Sequence, residues 1–159
     1  LRKSLKPGIL ETLMKYSKGK IGRVFVIKLE DGDMVPDAIE QFASAHNVNR
    51  GLCILIGGIG RGKIVAGPEN AGASPVVPML FPVNGVHEIV AAGTIFPDEK
   101  AVPRLHMHGA LGRKQKVLAG CVRPGIEVWK IGEVILLEIT GISSSRKNDD
   151  RTGFSILEP

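Results

Sequence analysis

Only seven of the 159 residues are aromatic, and only two are cysteine. So few aromatic rings exclude the stacking platform on which many proteins hold single-stranded nucleic acid. Two cysteines make no disulfide framework, and no secretory leader is visible, so a reducing cytoplasm is the expected setting. No apolar run reaches the roughly 18 residues that a membrane-crossing helix requires. The chain also lacks an internal repeat, a domain linker and a Gly-x-Ser-x-Gly elbow; Ser143, Ser144 and Ser145 stand in a polar tail instead.

What is present describes a single β-rich domain. A chain of about 150 residues buries roughly 68–70% of its extended surface on folding, enough for a core without disulfide or metal. Twenty glycines and ten prolines supply many turns. Lys and Arg exceed Asp and Glu by 21 to 16, a net charge of +5. Much of that excess lies before residue 24, in Arg2, Lys3, Lys6, Lys15, Lys18, Lys20 and Arg23. Residues 1–20 therefore read as a basic N-terminal arm, usually a solvated tail but open to DNA contact.

Val35, Ala38, Ile39, Phe42 and His46 recur at helical spacing, which predicts a helix over 34–46 with Asp33 as its N-cap. Strands are expected at 22–29, 52–59, 63–66, 86–95, 105–111, 117–122, 126–131 and 134–139, with 154–157 as a further one. Gly132-Glu133 is expected to close a tight hairpin. The fold class is α+β: a mainly antiparallel sheet of about seven or eight strands, one principal helix, one domain. Gly57 to Lys63 mimics a phosphate-binding loop, but Ile64 replaces the required Ser or Thr and no helix follows, so nucleotide binding is rejected. Gly60-Arg61-Gly62-Lys63 lies between apolar segments and is no AT-hook.

The most informative stretch is Leu105-His106-Met107-His108-Gly109-Ala110-Leu111, followed by Gly120-Cys121. His-x-His on a strand puts both imidazoles on one face. A hairpin folded about Arg113 and Lys114 would set His106 opposite Cys121 and His108 opposite Ala119. Opposed residues have Cβ atoms roughly 4.5–5.5 Å apart, so one ion could reach both rings and the thiolate. Imidazole with thiolate suits zinc, and three protein ligands leave one position open. His87 is a further candidate ligand and Glu88 a candidate carboxylate; Glu138 also interrupts an apolar strand. A plain structural reading also exists: two histidines packed on a sheet face or at a subunit interface.

The ordered series of motifs resembles the PPC (plants and prokaryotes conserved) domain. It comprises Gly22–Asp33 before the helix, Ile56-Gly57-Gly58-Ile59-Gly60, His87–Ile95, His106-Met107-His108, Val117–Cys121 and Thr152-Gly153-Phe154. The resemblance runs from about residue 20 to 157, dividing the chain into a 1–20 arm and a 21–157 domain. It implies an α+β fold, assembly as a homotrimer, and in some prokaryotic members a metal in the His-rich hairpin. It also carries a DNA-binding label from plant members that bear AT-hooks, which this chain lacks. His106 and His108 match the family's His-x-His, Glu88 and Gly93 match its Glu-containing strand, and Cys121 stands where many members have His. The expectation is a cytoplasmic, homotrimeric binding or regulatory protein with zinc at His106, His108 and Cys121. The alternative is a zinc-dependent enzyme acting on a small substrate.

Overall fold

A computed structural model describes residues 14–73 and 75–159. Residues 1–13, most of the expected arm, lie outside the described residues; 14–19 run without regular structure. The elements that follow are β1 (Lys20–Glu30), α1 (Val35–Ala45), β2 (Gly51–Pro68), β3 (Pro78–Pro97), β4 (Pro103–Arg113), β5 (Lys116–Val122), β6 (Glu127–Thr140), β7 (Ser145–Asp149) and β8 (Phe154–Glu158). The six-stranded sheet has the order β1-β6-β2-β3-β4-β5, and β7 and β8 form a separate two-stranded ribbon. The fold is mainly antiparallel β with one helix, in a single domain.

Alternation along each strand sorts the side chains to two faces. Leu29, Cys53, Leu55, Ala91, Ile95, Met107, Leu111, Val134 and Leu136 turn inward, where Val35, Ile39 and Ala43 of α1 join them in one buried cluster. The helix is anchored at its far side by Glu40, whose carboxylate accepts the Leu105 N–H at 2.8 Å and the Arg104 guanidinium at 3.2 Å. That fixes β4 at the residue before His106.

The β3–β4 turn is tied by Asp98, which accepts the N–H groups of Lys100 and Val102 and the Arg104 guanidinium. Donation from the Val102 N–H, then from Arg104, holds the Asp98 carboxyl below its usual range.

Three local expectations are corrected. The 52–59 and 63–66 segments are one strand, β2, running straight through the glycine-rich stretch; Gly57 there has φ +141°, and a Cβ would fall on the Ile131 carbonyl oxygen. Segments 126–131 and 134–139 are likewise one strand, β6, with no turn at Gly132-Glu133. Gly132 sits in the ladder between Leu29 and Gly57. The irregularity is a bulge instead: β6 advances from Val128 to Gly132 while β2 recedes only from Ile59 to Gly57. Lys130, at φ +67°, absorbs it and donates its N–H to Asp31 at 2.7 Å. Finally, Asp33 does not cap α1. Met34 holds the cap position, the Asp33 carboxylate accepts the Glu30 N–H, and the Val35 N–H donates to the Ile126 carbonyl.

The sheet also curls upon itself. Ile64 and Val65, late in β2, pair with Val122 and Cys121 of β5, so β2, β3, β4 and β5 form a closed ring. Gly120 permits this contact, because a Cβ there would fall on the Val65 carbonyl oxygen and 2.6 Å from Ile64 Cγ2. We expect Gly120→Ala to force the two strands apart and lower the unfolding free energy by about 1–3 kcal/mol. Denaturant unfolding checks this; a variant as stable as the parent would show that the closure tolerates a side chain.

Candidate metal centre

The outward face of the main sheet is organised in rows across the strands. One row runs Val26, Ile135, Ile54, Ala92, His108 and Cys121, each directly opposite the next. The neighbouring row runs Val24, Leu137, Leu52, Thr94 and His106. The two histidines and the cysteine therefore lie on one face, at the end of largely apolar rows.

The hairpin register differs from expectation by two residues. The turn is Lys114-Gln115, not Arg113-Lys114, and both turn residues have positive φ, 48° and 61°, as a two-residue hairpin turn demands. His108 thus faces Cys121, Ala110 faces Ala119 and Leu111 faces Leu118. A shift of two preserves the face, whereas a shift of one would have sent the thiol into the core. The expected ligand set consequently comes together despite the altered pairing.

The ligand atoms of His106, His108 and Cys121 all lie within 4.8 Å of one another. The two Nε2 atoms are 3.2 Å apart and the rings are inclined at 71°. Zn–N bonds of about 2.0–2.1 Å in a tetrahedron bring two nitrogens to roughly 3.3 Å, so the imidazoles are spaced to share one ion. Without an ion, that separation also suits a hydrogen bond between neutral rings. The donor set of two borderline nitrogens and one soft sulfur fits zinc.

Burial pushes the His106 pKa down, and the positive charge of Arg146 adds to it, which keeps the ring neutral and its lone pair available. Burial pushes the Cys121 thiol up, against the opposing pull of Arg123 and Arg146. Cys53, fully buried on the other face, is pushed up to about 12 by desolvation and takes no part.

The remaining candidates are elsewhere. His87 pairs with Ile59 in the middle of β3, its Nδ1 2.7 Å from the Gly85 carbonyl oxygen, beside a cleft lined by Arg113, Lys114 and Lys116. Glu88 is opposite Gly112, four residues along β4 from His108, and lines a different surface cleft with Trp129 and Glu133. Neither is brought to the His–Cys cluster. Glu138 is engaged by Arg23, whose guanidinium and N–H hold its carboxyl down at about 2. His46 ends α1, stacked on Phe42.

Sequence reasoning missed Arg146. It sits in β7, within the polar run Ser143–Asp150, yet it is only 6% exposed. Its Nη2 donates to Thr94 Oγ1 at 3.0 Å, and Thr94 is the cross-strand partner of His106. The expected 154–157 strand is β8, but no apolar pattern marks β7, so nothing in the sequence announced that this arginine folds back over the sheet.

The sequence profile of the Plants and Prokaryotes Conserved (PCC) domain matches residues 16–140. In three dimensions the chain is similar to a metal-containing protein from Archaeoglobus fulgidus, with 22% identity and a TM-score of 0.80, over 92% of this chain and all of the other. It is similar to a plant- and prokaryote-conserved (PPC) protein from Pyrococcus horikoshii, at 21% identity and a TM-score of 0.80, over 92% of this chain and 98% of that one. A candidate DNA-binding protein from Bacteroides thetaiotaomicron gives 19% identity and a TM-score of 0.72, over 88% of this chain and 96% of that one. Likenesses at these identities bear on the fold. No curated protein matches the chain.

The opposite displacements of the two pKa values give a directional test. Above the ordinary imidazole range His106 is already neutral, while the raised Cys121 thiol still holds its proton at pH 7. Saturating zinc should therefore release about one more proton per chain from the parent than from Cys121→Ala. Calorimetry in buffers of different ionisation enthalpy measures this; equal release from both proteins would remove Cys121 from the ligand set.

Proposed function

The chain belongs to the Plants and Prokaryotes Conserved (PCC) domain family, and from that premise we propose that it is a metal-binding module that assembles as a homotrimer. Zinc is held by His106, His108 and Cys121, and the protein acts by binding or regulation in the cytoplasm. The observation that carries this reading is the convergence of three ligand atoms within 4.8 Å on one sheet face. The module spans residues 21–157, preceded by the basic arm of residues 1–20.

Assembly is supported by the apolar rows that end at the site. Val26 is 80% exposed and Val90 59%, with Ile54, Ile56 and Ile135 between them on the same face. A contiguous patch of this kind on a monomer marks an interaction surface. Both cysteines are unpaired, in keeping with a reducing compartment, and no helix among the described residues is long and apolar enough to cross a membrane.

The ligand count favours a second reading, a zinc-dependent enzyme, since structural zinc sites commonly take four protein ligands. A bound ion would polarise a substrate carbonyl or acidify a water molecule. Among the described residues, however, no carboxylate joins the cluster to serve as a base. The binding role is therefore the one we adopt.

DNA contact rests on the net charge of +5 and on the name of the Bacteroides neighbour. If the basic arm carries it, affinity falls steeply with salt and deleting residues 1–13 shallows that slope. Fluorescence anisotropy with duplex DNA reads both, and binding insensitive to salt and to the arm would end this part of the proposal.

Untagged protein purified without chelator should contain about one zinc per chain. His106→Ala or Cys121→Ala should lose most of it. Light scattering should give a trimer that Val26→Asp with Ile54→Asp converts to monomer. Metal-free protein that takes up no zinc on addition would overturn the metal reading, and a monomeric parent would overturn the assembly.

A further inference from the structure

Among the described residues, no acid lies beside the buried charge of Arg146. The side chain is 6% exposed, its Nη2 donates to Thr94 Oγ1 at 3.0 Å, and its buried Nε has no acceptor at all. Its guanidinium carbon lies 5.9 Å from the ring centre of Phe96, a residue itself only 6% exposed. Every ion pair among the described residues is made by other side chains. A guanidinium has five N–H donors in a fixed fork, and Thr94 occupies one of them. Burying such a group without an opposing charge is costly, and the described residues supply no partner of negative charge.

The position of this charge says where that partner belongs. Thr94 is directly opposite His106, which puts the Arg146 fork at the margin of the His–Cys cluster. The β7–β8 ribbon is pinned there by further contacts. Arg50 Nε donates to the Ser144 carbonyl at 2.8 Å and Asn148 donates to Glu99 at 3.2 Å. Arg146 is thus held in place rather than draped over the surface. Two neutral imidazoles, one thiolate and a divalent ion leave one positive charge, and the guanidinium adds another. A neutral ligand would leave both uncompensated.

We infer that the site recognises a small oxyanion, the carboxylate or phosphate group of a small molecule, with one oxygen directed at the ion's open position and the group clasped by Arg146. This rests on the metal reading given above and supplies its ligand class. Fork geometry suits both groups, because carboxylate and phosphate alike accept two parallel N–H bonds. Thr94 acts as a positioning residue by fixing one arm of the fork.

The test uses the full chain loaded with Co²⁺ in place of zinc, because the visible bands of cobalt report its coordination. Acetate and inorganic phosphate are titrated separately. At least one should change the spectrum saturably, and which one does so tells a carboxylate ligand from a phosphate ligand. Arg146→Met and Arg146→Lys should each weaken that response about tenfold or more while leaving the thiolate-to-cobalt absorption intact.

A second arm needs no metal. In anion-free buffer the melting temperature of Arg146→Met should equal or exceed that of the parent, since an unpaired buried charge has gone. The effective anion should raise the melting temperature of the parent and not that of the variant. Absence of the thiolate-to-cobalt absorption would defeat the metal reading alone, and an Arg146-dependent gain in melting temperature would still support anion capture. Identical anion responses in the parent and both variants, no response to either anion, or a destabilised Arg146→Met in anion-free buffer would overturn the inference.

Discussion

The pairing of His108 with Cys121 across the β4–β5 hairpin is the contact on which the site depends. It is fixed from three directions. The left-handed residues Lys114 and Gln115 set the register at the tip, Glu40 holds β4 at the base, and the β2–β5 closure holds β5 at the Cys121 end. A strand held at both ends and along one edge has no freedom to slip. Imidazole and sulfur need that rigidity, because a ligand set loosened by an ångström binds metal poorly.

Much of this was legible in the sequence, for identifiable reasons. Period-two alternation marks His106, His108 and Cys121 as residues of one face, and that parity survives an error of two in the register. Helical spacing of Val35, Ile39 and Phe42 gives α1 to within a residue or so at each end. Composition misled where tertiary pairing overrides local preference. Gly132-Glu133 reads as a turn, yet Gly132 is there because Leu29 crowds its position from the next strand, 3.2 Å from where a Cβ would stand. Asp33 reads as a cap, yet its carboxylate is spent on the turn before the helix. Arg146 was illegible because its burial comes entirely from a ribbon docking on a distant strand, which leaves no trace in local patterning.

The two faces of the sheet divide the work. The inner face carries α1 and the apolar cluster, and it buries Cys53 so deeply that its thiol stays protonated and inert. The outer face carries the apolar rows, and at their margin the polar cluster with its arginine. Cys53 in β2 and Cys121 in β5 share a chemistry but not a face, so only Cys121 is placed beside the histidines. The location of the site at the end of an apolar row also means that any partner seated on those rows would lie close to the histidines.

Sequence distance orders the assembly of these parts. His106 and Cys121 belong to one hairpin, whereas β1 finds its partner β6 only across most of the chain, Lys20 opposite Thr140. Contacts close in sequence form fastest, and distant strand pairings wait on long loop closure. During synthesis the candidate ligands therefore emerge together, just ahead of the strand that β1 must wait for. The backbone of β1 stays unpaired until the ribosome has delivered β6, which leaves that strand an open edge for wrong association in the nascent chain.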